Sequence, residues 1–291
     1  MSLIGTLTTG VSALKTFSSA LDVIGNNIAN VNTTGYKASS ASFAESFSNT
    51  LRGSAPSSGT QSDQSSIQIG TGVQLAGIAT NFSQGALNST GNVTDLGVSG
   101  NGFFIVKDAT SGQQFATRDG QFRFDDNGYL VTQAGQRVQG LVGGSSTTPL
   151  GTTVGDIQIG QNLPAGTSLQ SVSIDTAGNV VEFYSDGTSA TTNQVQLQNF
   201  NDTSALMREG GNLYSGLNAA GPVGGGILAG NNSPGSSGLG NIQSGTLESS
   251  NVDLTQQFSD LITAQRSFQA GSRLITVSDT VLEDVVNLKR S

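Results

Sequence analysis

The chain has 291 residues, enough for two domains and a buried core. Only 35% of its residues are hydrophobic and 11% are charged, with 40 glycines, so the chain is either partly disordered or built from many short strands and turns, and the periodic stretches below favour strands. The net charge of -8 is spread without a basic run that could follow a phosphate backbone, so no nucleic acid is expected as a partner. The sequence has no histidine or cysteine, which closes the usual routes to acid–base and thiol catalysis.

The first residues, MSLIGTLTTG, lack a basic region and a continuous apolar core, so a cleaved secretory signal is not expected. No apolar run approaches the length of a membrane span, which predicts no insertion into a membrane. By these signs the protein is expected to be soluble, made in the cytoplasm, and exported by another route if it is exported.

A first amphipathic helix is predicted from about Leu3 to Asn30, before a turn-rich stretch of Asn, Thr and Gly that ends at Gly35. One apolar row recurs every seventh residue, and a second row runs beside it with one glycine in it. A helix with such a stripe needs a partner. The rows are Leu7, Leu14, Leu21 and Ile28, and Leu3, Gly10, Phe17, Ile24 and Val31.

The middle of the chain reads as short strands separated by turns. Apolar runs such as Phe103 to Val106 and alternating runs such as Gln194 to Gln198 predict strands. Asp126-Asn127-Gly128 predicts a hairpin turn with positive φ at Asn127 and Gly128. Two segments, 53–66 and 221–240, are rich in Gly and Ser and are predicted to be flexible.

A second amphipathic helix is predicted at the end of the chain, within residues 251–291. Its main row falls every seventh residue, and a row four positions behind it is apolar only at Phe258 and Val286. Because both ends of the chain carry the same heptad pattern, we expect them to pair with each other or with copies; the alternative is that each is an ordinary helix packed on a central core. The main row is Leu254, Leu261, Phe268, Ile275 and Leu282.

Candidate catalytic motifs are weak. Ser12 and Lys15 match an S-x-x-K pattern, but Leu14 between them belongs to the helix stripe and no partner motif follows. Asp125, Asp126 and Asn127 lack the spacing of a calcium loop and are better explained by a turn. The sequence therefore predicts no enzyme, no cofactor and no metal.

Several blocks, in order along the chain, resemble the flagellar rod and hook axial proteins of bacteria. LDVIGNNIANVNTTGYK (21–37) is similar to the family's amino-terminal signature, with Asn26, Asn27, Asn30 and Gly35 as its motif residues. GTLESSNVDLTQQFSDLITAQRSFQAGSRLITVSD (245–279) is similar to its closing helix. Similarity to its β-domain is carried by IGTGVQL (69–75), FSQGALNSTGN (82–92), DLGVSGNGFFIVKD (95–108) and TRDGQFRFDDNGYLVTQAGQRVQG (117–140).

The resemblance implies an α+β fold in which long terminal helices form a coiled-coil-like domain around a central, mostly antiparallel β-domain. We expect the terminal helical domain at 1–34 and 250–291 and an extended connecting region at 35–70 and 241–249. The core β-domain is expected at 71–145 and 200–240, with a small inserted β region at 146–199.

The resemblance further implies a structural subunit that polymerises through its terminal helices. The expected partners are copies of the chain, neighbouring rod or hook–filament junction proteins, an assembly cap and the flagellar export apparatus. The expected location is the extracellular hook or the basal-body rod. The predicted assembly interface comprises Leu3, Leu7, Leu14, Phe17, Leu21, Ile24, Ile28, Leu254, Phe258, Leu261, Phe268, Ile275 and Leu282.

Two members of the family fit the sequence. Both termini resemble the hook, which transmits torque from rod to filament, and we prefer the hook on that ground. Chain length and an insertion of 26 residues from Phe43 to Gln68 instead resemble the distal rod. An adhesive or binding β-domain with oligomerising helices, and a hydrolase that uses Ser or Asp, are the alternatives from other classes.

Overall fold

A computed structural model describes residues 3–54, 56, 63–145, 150–161, 163, 166–229 and 232–290, with no account of the side chains of 3, 4, 289 and 290. The chain forms two compact units. The helical unit consists of Met1–Ala29, Ala38–Asn81 and Val252–Ser291, and the β unit consists of Asn30–Lys37 and Phe82–Asn251. The predicted α+β class is confirmed.

Both predicted helices are present in the helical unit. Asp253 caps the second one, since its carboxylate accepts hydrogen bonds from the backbone N–H groups of Thr255 (2.8 Å) and Gln256 (3.3 Å). Two antiparallel strand pairs complete the unit, β1 with β4 and β2 with β3. The elements are α1 (Leu3–Ala29), β1 (Ser39–Glu45), β2 (Ser48–Arg52), β3 (Ile67–Gly70), β4 (Val73–Thr80) and α2 (Leu254–Arg290).

The β unit holds the remaining strands, whose pairings in the described residues are all antiparallel. Its main sheet runs in the order β13-β14-β15-β11-β7-β8-β18-β17. The bounds are β5 (Leu87–Ser89), β6 (Leu96–Ser99), β7 (Phe103–Lys107), β8 (Gln114–Thr117), β9 (Phe122–Phe124), β10 (Leu130–Thr132), β11 (Arg137–Val142), β12 (Thr153–Asp156), β13 (Leu169–Ile174), β14 (Asn179–Tyr184), β15 (Ser189–Val195), β16 (Leu197–Gln198), β17 (Met207–Gly210), β18 (Leu213–Ser215), β19 (Asn241–Ser244) and β20 (Thr246–Glu248), with a 3-10 turn at Thr203–Ala205.

Strand β7 lies at the centre of this sheet and is buried on both faces. Phe104 and Val106 belong to one apolar cluster, and Phe103 and Ile105 belong to another. Successive side chains of a strand point to opposite faces, so a continuous apolar run is what a strand covered on both sides requires. The apolar run seen in the sequence is thereby explained.

The hairpin turn predicted at residues 126–128 is present, but its type differs from the prediction. Gly128 has φ 81°, whereas Asn127 is not among the residues with positive φ. The N–H of Gly128 donates to the carbonyl of Asp125 (2.9 Å), and the Asp125 carboxylate accepts from the N–H of Asn127 (2.7 Å). The hydrogen bond from the Asn127 N–H to the Asp125 carboxylate favours a turn in which Gly128 alone has positive φ, in place of a turn with two such residues.

The prediction of flexibility for 221–240 is wrong for the part that the structure describes. Leu228 and Leu239 are buried in the two apolar clusters of the β unit, and the N–H of Leu228 donates to Gln198 Oε1 (2.7 Å). Two apolar anchors suffice to hold a glycine-rich segment onto the sheet. In the other segment, 53–66, residues 55 and 57–62 lie outside the described residues.

The two compact units divide the chain at other places than the expected domains. Residues 38–81 were expected to be partly connection and partly β-domain, but they belong to the helical unit, where strands β1 to β4 form two antiparallel pairs. Strands within 146–199 belong to the main sheet of the β unit, since β15 pairs with β11. Which unit a segment belongs to depends on the strands with which its backbone pairs, and the composition of the segment does not show this.

Candidate assembly interface

Helices α1 and α2 pack antiparallel along a seam of small residues. A Cβ added to Gly10 would lie 3.0 Å from Ile275 Cγ1, and one added to Gly271 would lie 3.3 Å from Leu14 Cδ2. A bulky side chain on one helix therefore sits against a glycine on the other at both places. The glycines let the two backbones approach closely.

Polar contacts close both ends of the seam. Near one end, the hydroxyl oxygens of Thr6 and Ser278 lie 3.2 Å apart. At the other, the Asn27 amide donates to Gln257 Oε1 (2.9 Å) and to the carbonyl of Ser39 (2.7 Å), while its Oδ1 accepts from the Ser39 N–H (3.0 Å). Asn27 thus joins α1 to α2 and to the start of β1, which explains a buried Asn in a helix.

The predicted interface residues whose side chains the structure describes fall into two groups, half-buried and exposed. The seam row of α2 is Gln257, Ala264, Gly271 and Ser278, one position away from the predicted second row, so Phe258 lies off the seam and is 51% exposed. Small residues are what a close approach requires, and a count of bulky residues misses them. Leu7, Leu14, Phe17, Leu21, Ile24, Ile28, Leu261, Ile275 and Leu282 are half-buried, Leu254, Phe258 and Phe268 are exposed, and the side chain of Leu3 lies outside the described residues.

A second apolar stripe on α2 was missed in the sequence. Its members are exposed, Val277 at 60% and Leu288 at 75%. Their spacing of three or four residues places them on one side of the helix. Most of them lie beside the seam row, whereas Val285 falls seven residues after Ser278, on the continuation of that row. This spacing was visible in the sequence but was hidden by the stronger heptad row. The outer stripe consists of Leu274, Val277, Val281, Val285 and Leu288.

Other apolar surface of the helical unit is also uncovered. Phe47 on the connection before β2 is 76% exposed and Leu51 on β2 is 62% exposed. A groove of about 300 Å³ opens between Phe17, Phe43 and Ala264. Large exposed apolar side chains in this number are typical of a surface that packs against another protein.

The remaining residues of the amino-terminal motif lie near the end of α1. Asn26 is exposed on α1, and the Thr33 hydroxyl and N–H both donate to Asn30, at 3.1 Å each. Gly35 is buried with φ 66°, and its N–H donates to the carbonyl of Glu248 (2.8 Å). A Cβ on Gly35 would lie 2.6 Å from the Asp119 nitrogen, so the position requires glycine.

Within the described ranges, no helix is both long and apolar enough to cross a bilayer. The same residues contain no group of three Asp, Glu or His side chains that could hold a metal ion. Ser12 of the S-x-x-K pattern donates its hydroxyl proton to the carbonyl of Thr9 (2.8 Å), one turn earlier in α1. Its position and bond are those of a helix residue.

Both ends of the chain form one helical unit whose apolar faces are uncovered. Such a fold is that of a structural subunit that packs side by side with other subunits. Three family profiles match the chain: "Flagella basal body rod protein" at 7–37, "Flagellar hook protein FlgE/F/G D1 domain" at 97–182 and "Flagellar basal body rod FlgEFG protein C-terminal" at 243–288. The chain is 39% identical over 285 residues to the flagellar basal-body rod protein FlgG of Bacillus subtilis, covering 98% of both chains.

Two proteins of Borreliella burgdorferi are also similar. The chain is 31% identical to its basal-body rod protein FlgG over 285 residues, with 98% of both chains covered. It is 26% identical to its hook protein FlgE over 445 positions, with 97% of this chain and 99% of the other covered. The chain belongs to the flagellar rod and hook axial protein family, and it is a structural subunit of the bacterial flagellum that assembles with copies of itself and with neighbouring axial proteins.

Proposed function

We propose that the chain is a rod subunit and not the hook subunit. The observation that carries the proposal is the end-to-end alignment with rod proteins over 285 positions, whereas alignment with a hook protein extends to 445 positions. The longer alignment means that the hook relative has additional sequence that this chain lacks. This reverses the preference for the hook, because helical ends common to rod and hook proteins do not distinguish them.

The β2–β3 hairpin supports the rod as well. It falls within Phe43 to Gln68, where the sequence resembles the insertion of the distal rod, and it exposes Leu51 and Ile67. Apolar side chains on a hairpin add contacts to a neighbouring subunit. When a tubular polymer bends, its inner side shortens, and such contacts between subunits would have to break there. The contacts therefore favour a straight and rigid polymer.

In this proposal, assembly uses the outer surface of the helical unit together with the predicted interface residues. The outer stripe of α2 packs against a neighbouring copy, and each side chain that becomes fully buried contributes about 1.5 to 3 kcal/mol. The α1–α2 seam holds the unit in shape. A contact between different surfaces of neighbouring copies leads to an open helical polymer unless its rotation closes a ring.

Export completes the proposal. The subunit leaves the cytoplasm in an unfolded state through the flagellar export apparatus, without a cleaved signal, and is added beneath an assembly cap. Its role is mechanical, without catalysis, cofactor or metal. The low fraction of charged residues and the absence of cysteine are compatible with this route.

The test is the structure of basal bodies from cells that lack the protein. We expect basal bodies truncated below the outer rings, with restoration by a plasmid copy of the gene. A complete rod without a hook in the same cells would assign the chain to the hook and overturn the proposal.

A further inference from the structure

The segment Asn30–Lys37 belongs to the β unit, although the chain before and after it belongs to the helical unit. Its last three residues are buried: Gly35, Tyr36 at 6% exposure and Lys37 at 1%. A lysine is almost never buried to this degree unless it is paired. The burial of Lys37 therefore requires a specific partner inside the β unit.

That partner is Glu248, which is also fully buried. Lys37 Nζ lies 2.6 Å from Glu248 Oε1, and Arg118 Nη1 lies 3.3 Å from Oε2. The N–H of Gly85 donates to the same Oε1 at 2.9 Å, and Lys37 Nζ also donates to the carbonyl of Ser83 at 2.8 Å. One lysine and one carboxylate thus hold three segments that are distant in sequence.

These three segments are the ones by which the β unit connects to the rest of the chain. The chain enters the unit before Asn30 and before Phe82, and it leaves the unit after Lys37 and after Asn251. Further bonds link the same three places. The Gly35 N–H donates to the Glu248 carbonyl (2.8 Å), and the side-chain amide of Asn251 donates to the Ser83 carbonyl (3.1 Å). The backbone N–H of Asn251 donates to the Tyr36 carbonyl (3.4 Å). The buried cluster consequently lies where the connecting segments converge.

The charges argue against a simple stabilising role. Two cations, Lys37 and Arg118, share one carboxylate, and burial lowers the pKa of both because it disfavours their charged forms. Replacing a buried ionic cluster by apolar residues is often neutral or stabilising, so such a cluster is weak evidence for a role in stability. What the cluster does provide is directional, charge-assisted hydrogen bonds. Directional bonds are what fixing three segments in one arrangement requires.

We propose that Lys37 is a positioning residue for axial assembly, which ties the three connecting segments together at Glu248 and Ser83. The role rests on the chain being an axial subunit and is independent of the choice between rod and hook. We call these contacts of Lys37 with Glu248 and Ser83 the clamp. The clamp fixes where each segment leaves the β unit. It thereby keeps the connecting segments in one arrangement when neighbouring subunits exert force on them.

The test is Lys37→Met, with Lys107→Met as the matched control in strand β7. The variant leaves Arg118 and Glu248 as a balanced pair, so we expect the β unit to stay folded. Amide hydrogen exchange of the purified monomer should become at least about tenfold faster at Gly35 and Asn251, a change of about 1.4 kcal/mol in local opening. Exchange at Ile105 in the central strand should not change.

Polymerisation in vitro provides the second measurement. We expect Lys37→Met to form polymer more slowly than the parent and Lys37→Arg, which keeps the charge, to recover part of the rate. Lys107→Met should polymerise as the parent does. Slow polymerisation together with fast local exchange supports the clamp whichever axial segment the protein builds.

Three results would overturn the inference. Unchanged exchange at Gly35 and Asn251 in Lys37→Met would show that the segments are held without the lysine. Equally faster exchange at Ile105, or an unfolded β unit, would show that Lys37 stabilises the whole unit. Faster local exchange with a normal rate of polymerisation would show that the clamp does not serve assembly.

Discussion

At the scale of single residues, Gly35 is a position where the backbone leaves room for no other residue without strain. Its φ of 66° disfavours any other residue by about 1 to 2 kcal/mol, and its missing Cβ would lie 2.6 Å from a backbone nitrogen. We expect Gly35→Ala to destabilise the β unit by the conformational cost plus about 1 to 3 kcal/mol of overpacking. Gly135→Ala is the matched control, because Gly135 has φ 86° and open space around it. Urea unfolding measures both, and equal losses of stability would contradict the close contact at Gly35.

Asp119 gives a prediction about pH at the same scale. Burial raises the pKa of Asp119 above its ordinary value of 3.8, although the hydrogen bonds from Gln121 and Thr34 act in the opposite direction. A carboxyl with a raised pKa binds its proton more tightly in the folded state, so its favourable contribution is present below pH 3.8 and is lost as pH rises through the folded pKa. We therefore expect Asp119→Asn to gain stability relative to the parent as pH rises from 3.8. Urea unfolding at several pH values measures the difference, and a difference that is independent of pH would contradict the shift.

At the scale of elements, two of the glycines of α1, Gly10 and Gly25, separate seam packing from helix propensity. A Cβ on Gly10 would meet Ile275 at 3.0 Å, whereas one on Gly25 would meet nothing within 4 Å. Alanine favours a helix over glycine by about 0.8 to 1.0 kcal/mol at either position. We expect Gly25→Ala to stabilise the helical unit and Gly10→Ala to destabilise it by net overpacking of about 1 kcal/mol. Thermal unfolding followed by circular dichroism tests this, and equal stabilisation by both changes would mean that the seam is not close-packed.

How much the sequence predicts also depends on the element. Both helices and the strand from Phe103 to Val106 were predicted correctly, because their signals are periodic and local. The seam row of α2 was displaced by one position, since Gly271 packs through the absence of a side chain, which apolar periodicity does not register. The pair of Lys37 and Glu248 lies 211 positions apart and could not be predicted from one sequence, because nothing local indicates a charge that is buried by a distant partner.

At the scale of the whole molecule, the outer stripe separates folding from assembly. Val277 is exposed on the subunit, so Val277→Asp should leave its helix content and unfolding unchanged but abolish polymerisation, because a buried carboxylate without a partner is strongly disfavoured. Thr276→Asp, at an exposed polar neighbour, is the control and should polymerise. Leu261→Asp should lose polymer and also weaken the helical unit, since Leu261 is half-buried. Polymer yield by sedimentation measures all three, and normal polymer from Val277→Asp would exclude the stripe from the interface.

The most direct test of self-assembly through the helical unit is an electron cryomicroscopy reconstruction of the native polymer. We predict that Leu274, Val277 and Val281 of each subunit are covered by a neighbouring copy of the helical unit, while Gly10 still packs against Ile275 within the subunit. A polymer in which the outer stripe faces solvent, with neighbouring subunits joined only through their β units, would contradict it.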